Sequence, residues 1–229
     1  MNIGCVFCRE NRFTLNGKIG LDTREAVLYE DELIYATPDL SPLTAGHLLI
    51  VSQEHYNSFA NAPRCVIDHL MKALLYFSED IFGGREIMWF EHGAVFERTG
   101  GASISHAHLH LIPQALELNA IVEKDRKYLK KIPFSDKGFA DLAFAQPYLW
   151  IGNRRDSFLY HVKELPSQYL RKMVMQVENG NAYDWKENYS SDDSIKRYRS
   201  TIELVHDKRR RRYGDGTDNT VSADTFSRH

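Results

Sequence analysis

Short apolar runs broken by turn residues mark the first third of the chain: "EAVLYED", "LIYATPD" and "HLLIVS". Bounded by Asp22, Pro38 and the "SPLTAGH" segment around Pro42 and Gly46, they predict the strands of a meander. From Pro63 the period changes. Ile67, Leu70, Met71, Leu74, Ser78 and Ile81 recur at helical spacing, so one long helix with an apolar face is predicted to run to about Phe82, where Gly83-Gly84 closes it. "EIMWFEHG" reads as strand again, then a turn-rich link to Gly100-Gly101, then the strand "SHAHLHLI". The expected class is α+β, an antiparallel sheet with one long helix.

From about Leu116 the chain becomes lysine-rich and loop-like. In "PYLWIGNRRDSFLYHV", Gly152-Asn153 separates two aromatic, β-branched runs and predicts a hairpin turn. "ELPSQYLRKMVMQVEN" predicts a helix with Pro166 at its first position and Tyr169, Leu170, Met173, Val174 and Val177 as its apolar face. A further helix is expected over Ser194–His206. The last segment, "DKRRRRYGDGTDNTVSADTFSRH", is charged and then polar, the composition of a disordered tail. The chain thus divides into an N-terminal domain over 1–115, a C-terminal α/β extension of hairpin and helices over 116–207, and a basic and polar tail over 208–229. Trp150 and Trp185 read as core residues, Lys208–Arg212 as a solvated run, and Cys65 as a small buried apolar residue.

The 229 residues are 43% hydrophobic and 26% charged, with a formal net charge of −2. That balance gives no reason to expect a nucleic-acid or membrane partner. No apolar run nears the roughly 20 residues that span a bilayer, and "MNIGCVFCRE" lacks a signal-peptide core, so a cytoplasmic location is expected. In a reducing compartment Cys5 and Cys8 read as metal-binding or redox residues rather than a disulfide.

The chemistry concentrates in "GGASISHAHLHLIPQ". On a strand, residues two apart share a face at roughly 6–7 Å, so His106, His108 and His110 point one way while Ala107, Leu109 and Leu111 turn to the core. Two such histidines can ligate one ion, as in cupins, whose G-x5-H-x-H is followed three or four residues on by Glu. Here those positions are Ile112 and Pro113, and the first Glu is Glu117. The alternative is nucleophilic attack on phosphorus, which neutral imidazole performs near pH 7 without activation by a base.

"SHAHLHLIP" resembles the H-x-H-x-H motif of the histidine triad (HIT) superfamily of nucleotide hydrolases and transferases. "ATPDLSPLTAGHLLIVSQEHY" is similar to that family's D-x-x-P…GH-apolar…H segment, and "GCVFC" to the C-x-x-C start of its zinc-containing members. "FEHGAVFERTGGASISHAH" also resembles the galactose-1-phosphate uridylyltransferase branch, which carries Gln at the position of His110. The resemblance covers roughly residues 1–115. It implies His108 as the nucleophile that forms a nucleotidyl-imidazole, with His110 donating to the phosphate or leaving group and Ser103 contacting phosphate. Gly101 would let backbone N–H groups approach the phosphate, and Asp39 would bind the ribose hydroxyls. It further implies a structural zinc on Cys5, Cys8, His55 and His106, no organic cofactor, a small-molecule nucleotide substrate and a homodimer. His47 is expected to be a packed, hydrogen-bonded ring.

Two departures bear on specificity. Ala102 stands where many of the hydrolases carry a phosphate-contacting Gln, and Glu91-His92 replaces their usual Asn-Glu. His110 in place of Gln favours hydrolysis over transfer. The rival classes are a nucleotide-binding sensor without turnover and a metal-dependent hydrolase that uses the triad as ligands.

Overall fold

The computed structural model describes residues 4–94, 101–135, 139, 146–179 and 184–214. Its centre is one eight-stranded sheet in the order β1-β2-β3-β5-β4-β7-β8-β6. The strands are β1 (Tyr29–Glu30), β2 (Ile34–Pro38), β3 (Leu48–Ser52), β4 (Met88–Gly93), β5 (His108–Ile112), β6 (Lys130–Pro133), β7 (Tyr148–Asn153) and β8 (Ser157–His161). Every pairing is antiparallel. The class is therefore α+β, as the alternation of short strand runs predicts.

One sheet face carries Ile34, Ala36, Leu48, Ile50, Leu109, Leu111, Tyr148, Trp150 and Leu159 into the main core. Against it lie α2 (Arg64–Tyr76), continued by a π-helical turn over Phe77–Ile81, and α6 (Asp192–Tyr213), while α1 (Thr14–Lys18) and α5 (Trp185–Asn188) are single-turn helices. α2 buries Ile67, Leu70 and Leu74 of the stripe read from its period, whereas Met71, read into the same stripe, lies outward with Leu75. Cys65 is exposed rather than buried, because it falls off that stripe in the first turn of α2. The opposite face carries Met88, Phe90, Ile112, Leu149, Ile151 and Tyr160, covered by α3 (Leu118–Asp125) and α4 (Tyr169–Asn179). β5 is buried on both faces for this reason, and its histidines lie under protein rather than on an open surface.

Four further features of the fold depart from the sequence reading. β7 pairs with β4 over Met88–Gly93, so residues after 116 widen the same sheet. Gly152 pairs with Ser157 instead of forming the turn, which lies at Asn153–Asp156 and is tied by Asn153 Oδ1 accepting from the Arg155 and Asp156 N–H groups. Its glycine is required elsewhere: a Cβ there would stand 2.3 Å from the Trp89 ring. α4 begins at Tyr169, three residues after Pro166, because Gln168 adopts φ 63° and gives its N–H to the Gly101 carbonyl. Finally α6 continues to Tyr213, six residues into the stretch read as tail. Arg209 holds it there, buried and donating to the Leu28 carbonyl and to Tyr76 Oη at 2.8 Å. Residues 215–229, and 95–100 of the glycine-rich link, lie outside the described residues.

Candidate active site

β3 and β5 set the site by register: Val51 faces His108 and Leu49 faces His110, while β4 places Phe90 beside His110. The Phe90 ring stacks on His110 at 4.5 Å. β5 itself starts at His108, later than the sequence suggests, because Ala107 gives its N–H to the Tyr56 carbonyl and accepts from Ser52 N–H. His106 therefore stands in the lead-in to the strand.

Backbone groups fix the tautomer of each ring. His108 Nδ1 lies 2.6 Å from the carbonyl of His106, an acceptor, so Nδ1 carries the proton and Nε2 keeps a lone pair. His106 Nε2 donates to the Ser52 carbonyl at 2.8 Å, which leaves its Nδ1 as the basic nitrogen. The Leu43 N–H donates to His47 Nδ1 at 3.1 Å. His47 Nε2 is then the protonated nitrogen, and it donates to His110 Nδ1 at 3.0 Å. His110 is left with a proton on Nε2, a donor. Three rings two residues apart thus carry a lone pair or a proton according to the group each one meets, a carbonyl for His106 and His108 and the His47 ring for His110.

Burial keeps these rings neutral. It lowers His108 and His110, His110 well below the ordinary histidine value, and pushes His47 down to about 3 and His106 to about 4. His92, also buried, is lowered to about 3 and accepts the Leu170 N–H on Nε2 at 3.1 Å.

The predicted metal residues come together. Cys5 Sγ lies 3.4 Å from His106 Nδ1, and Cys8 Sγ lies 3.3 Å from His55 Nδ1 and 3.8 Å from His106 Nδ1. All four donor atoms fall within 4.8 Å of one another. A tetrahedral zinc with its usual bonds to sulfur and nitrogen has S–N edges of about 3.6 Å, so the donor set fits. Its electrostatics agree: burial, then the neighbouring Cys5, pushes the Cys8 thiol up to about 12. A dication at the centre would reverse that cost by binding the thiolates.

The pocket in front of His108 and His110 is lined by Phe7, Phe13 and Tyr35 on one side and by Gly101, Ser103, Gln168, Arg171 and Trp185 on the other. Gly101 sits at φ 80°, and a Cβ there would press on His92 and the Pro166 carbonyl at 3.1 Å. Ser103 Oγ accepts from the Trp185 indole at 2.9 Å. Asp39 follows β2 and is buried beside His47 and His110, its Oδ2 3.8 Å and 3.7 Å from their ring nitrogens. Arg171 of α4 meets it with Nη1 at 2.5 Å from Oδ2 and Nη2 at 3.3 Å from Oδ1, and also donates to the Ser41 carbonyl at 2.6 Å. Burial works to raise the Asp39 carboxyl, but the Arg171 charge and hydrogen bond prevail and hold it near 2.

All nine residues singled out for chemistry therefore fall in two adjacent places, a cysteine–histidine cluster and a pocket. The sequence reading missed Arg171, His92 and the pocket role of Trp185. Arg171 lies off the apolar stripe of α4, and nothing local in the sequence marks a buried arginine there. Ala102 is buried at the pocket wall, and Glu91 turns away from the pocket to accept from Phe59 N–H and Tyr148 Oη.

With this geometry in hand, the comparisons with known proteins are specific. The HIT domain family matches residues 21–116. An uncharacterized HIT-like protein of Methanocaldococcus jannaschii is 31% identical over 114 residues, covering 48% of this chain and 78% of that protein. An adenylylsulfatase of Arabidopsis thaliana is 27% identical over 110 residues, covering 48% of this chain and 52% of its own length. A solved structure, a hypothetical histidine triad nucleotide-binding protein from Sulfolobus tokodaii, covers 93% of this chain and 99% of its own, with 18% identity and a TM-score of 0.41. The chain belongs to the HIT family. Residues after 116, including Arg171 and Trp185, lie outside the matched domain.

Proposed function

We propose that this chain cleaves a nucleoside phosphate ester, anhydride or phosphoramidate through a covalent nucleotidyl-His108 intermediate. The observation that carries this reading is the 2.6 Å contact between His108 Nδ1 and the His106 carbonyl, which reserves Nε2 as a lone pair in the pocket. In the first step Nε2 forms a bond to the α-phosphorus and the bond to the leaving group breaks. The leaving group takes the electron pair, and His110 Nε2–H stands as a donor to it or to a phosphoryl oxygen. Water then forms a bond to phosphorus, the N–P bond breaks with its electron pair returning to Nε2, and the water proton passes to solvent, which leaves the imidazole neutral. The adenylylsulfatase among the relatives supports chemistry at a nucleotide phosphorus.

Zinc on Cys5, Cys8, His55 and His106 belongs to the same proposal as a structural ion. With four protein ligands its coordination is closed, and it would fix the N-terminal segment that brings Phe7 to within 5.1 Å of the His108 ring.

The test is intact-mass measurement after brief exposure to adenosine and guanosine 5′-phosphoramidates. A nucleotidyl adduct is expected on the wild type and none on His108→Ala, with turnover falling by at least about a thousandfold. Near-native turnover in His108→Ala would sink the mechanism. Saturable binding with no adduct and no turnover would favour a sensor. If release of the nucleoside monophosphate gives way to transfer when an alcohol or phosphate acceptor is added, the enzyme is a nucleotidyltransferase, as the likeness to the uridylyltransferase branch suggests.

A further inference from the structure

We propose that Arg171 sets the sugar specificity of this pocket by withdrawing Asp39 from the substrate. The inference rests on reading the pocket as a nucleotide site. In that reading Asp39 is, among the described residues, the acid lining the pocket that could accept from a pair of ribose hydroxyls, and both of its oxygens are already engaged. Oδ1 accepts from Ser41 N–H at 2.7 Å and from Arg171 Nη2, and Oδ2 accepts from Arg171 Nη1. Each partner is 5% exposed, and Arg171 is fixed a second time by its bond to the Ser41 carbonyl.

A ribose hydroxyl is a neutral, single donor. Asp39 has one acceptor position left, on Oδ2, so to take both hydroxyls of a diol it would have to release Ser41 N–H or one prong of a charged donor, an exchange that electrostatics opposes. The arginine itself cannot swing away cheaply. It is carried in the first turn of α4, and that turn is held by Leu170 N–H on His92, by Gln168 N–H on the Gly101 carbonyl and by Gln168 Nε2 on Asp184. Arg171, Gln168, Leu170 and Asp184 lie beyond residue 116, so the extension supplies the arginine while Asp39, His92 and Gly101 belong to the matched domain. The pocket therefore takes nucleoside phosphates that lack a 2′,3′-diol about as readily as those that have one.

Calorimetric titration of the full chain with AMP and GMP, and with their 2′,3′-dideoxy counterparts, tests this directly. The expected preference for the ribonucleotide is about threefold or less, and a preference above about tenfold overturns the proposal. In Arg171→Met the carboxylate is released and the preference should rise above about tenfold; in Asp39→Asn/Arg171→Met it should fall back. An Arg171→Met protein with a native circular dichroism spectrum and an unchanged preference also overturns it. If that variant does not fold, the wild-type preference decides alone. Failure of the underlying reading is distinct: no nucleotide of either series binds and His108 takes no adduct, in which case the proposal falls with it. A wild type that forms the adduct yet strongly prefers the diol refutes only the role of Arg171.

Discussion

The pocket has two walls built on different physics. The strand wall, β3 and β5, presents His108 and His110 with their tautomers set by main-chain groups and by His47, so no charged side chain is needed to orient them. The helix wall, formed by Gln168, Arg171 and Trp185, is held by side chains reaching across the fold: Arg171 to Asp39, 132 residues apart, and Trp185 to Ser103, 82 apart. A ring whose proton is fixed by a carbonyl keeps its chemistry as long as the sheet persists. A charged pair between distant segments depends on the docking of one helix, and changes there should alter recognition before they alter the reacting group.

The widest gap between the walls should appear behind the strand wall. Cys8→Ser removes one of four donors, and metal content measured by elemental analysis should fall from about one zinc per chain towards none, with a drop in melting temperature of at least about 10 °C. A protein that carries no zinc when purified without chelator would refute the zinc site while leaving the His108 chemistry standing.

On the helix wall, Arg171→Ala leaves a buried carboxylate without its counterion, which is expected to cost about 3–5 kcal/mol in urea denaturation. Asp39→Asn/Arg171→Ala should recover part of that loss. If the single variant costs under about 1 kcal/mol, the ion pair is not formed in solution, and the contrast between the walls fails on this side.

How far each wall could be read from sequence follows from the same difference. His106, His108 and His110 are legible because a period of two needs only three residues, and Cys5, Cys8 and His55 because the family pattern carries them. The α2 stripe was legible at Ile67, Leu70 and Leu74 for the equivalent reason at period 3.6. Arg171 and the docking of α4 were not, since a left-handed Gln168 and a buried arginine arise from tertiary partners far along the chain. The helix end at Tyr213 was hidden likewise: a run of arginines looks solvated until one of them, Arg209, finds the Leu28 carbonyl.

A buried carboxylate without a cationic partner supplies a control for Arg171. Glu91 accepts from Phe59 N–H at 2.8 Å and Tyr148 Oη at 2.6 Å, but burial outweighs these bonds and raises its pKa from 4.5 to about 7. Its sign is opposite to that of Asp39. A raised folded-state value contributes stability that is complete below pH 4.5 and is lost as the pH climbs through 7. The lowered value of Asp39 contributes stability above pH 3.8 that is lost as the pH falls towards 2. The lowered histidines make unfolding free energy rise from pH 4.5 to 7.5, and Glu91 opposes that rise, so the wild type should gain on the order of 2–3 kcal/mol less over this range than Glu91→Gln. Parallel profiles for the two proteins would show that Glu91 is not shifted.

The smallest effect isolates the second contact of the helix wall. Trp185→Phe keeps an aromatic ring against the pocket but deletes the indole donor to Ser103 Oγ, a neutral hydrogen bond whose net worth is about 1 kcal/mol. The freed Ser103 hydroxyl remains able to donate to a phosphate oxygen, as it can with the indole in place, since Trp185 occupies only an acceptor position. Adduct formation on His108 should consequently be unchanged within about threefold, with any weakening of nucleotide affinity at or below about fivefold. A loss of adduct comparable to that of His108→Ala would mean that the indole contact orients the reacting phosphate. The two walls would then act as one catalytic unit, and the division drawn between them would have to be abandoned.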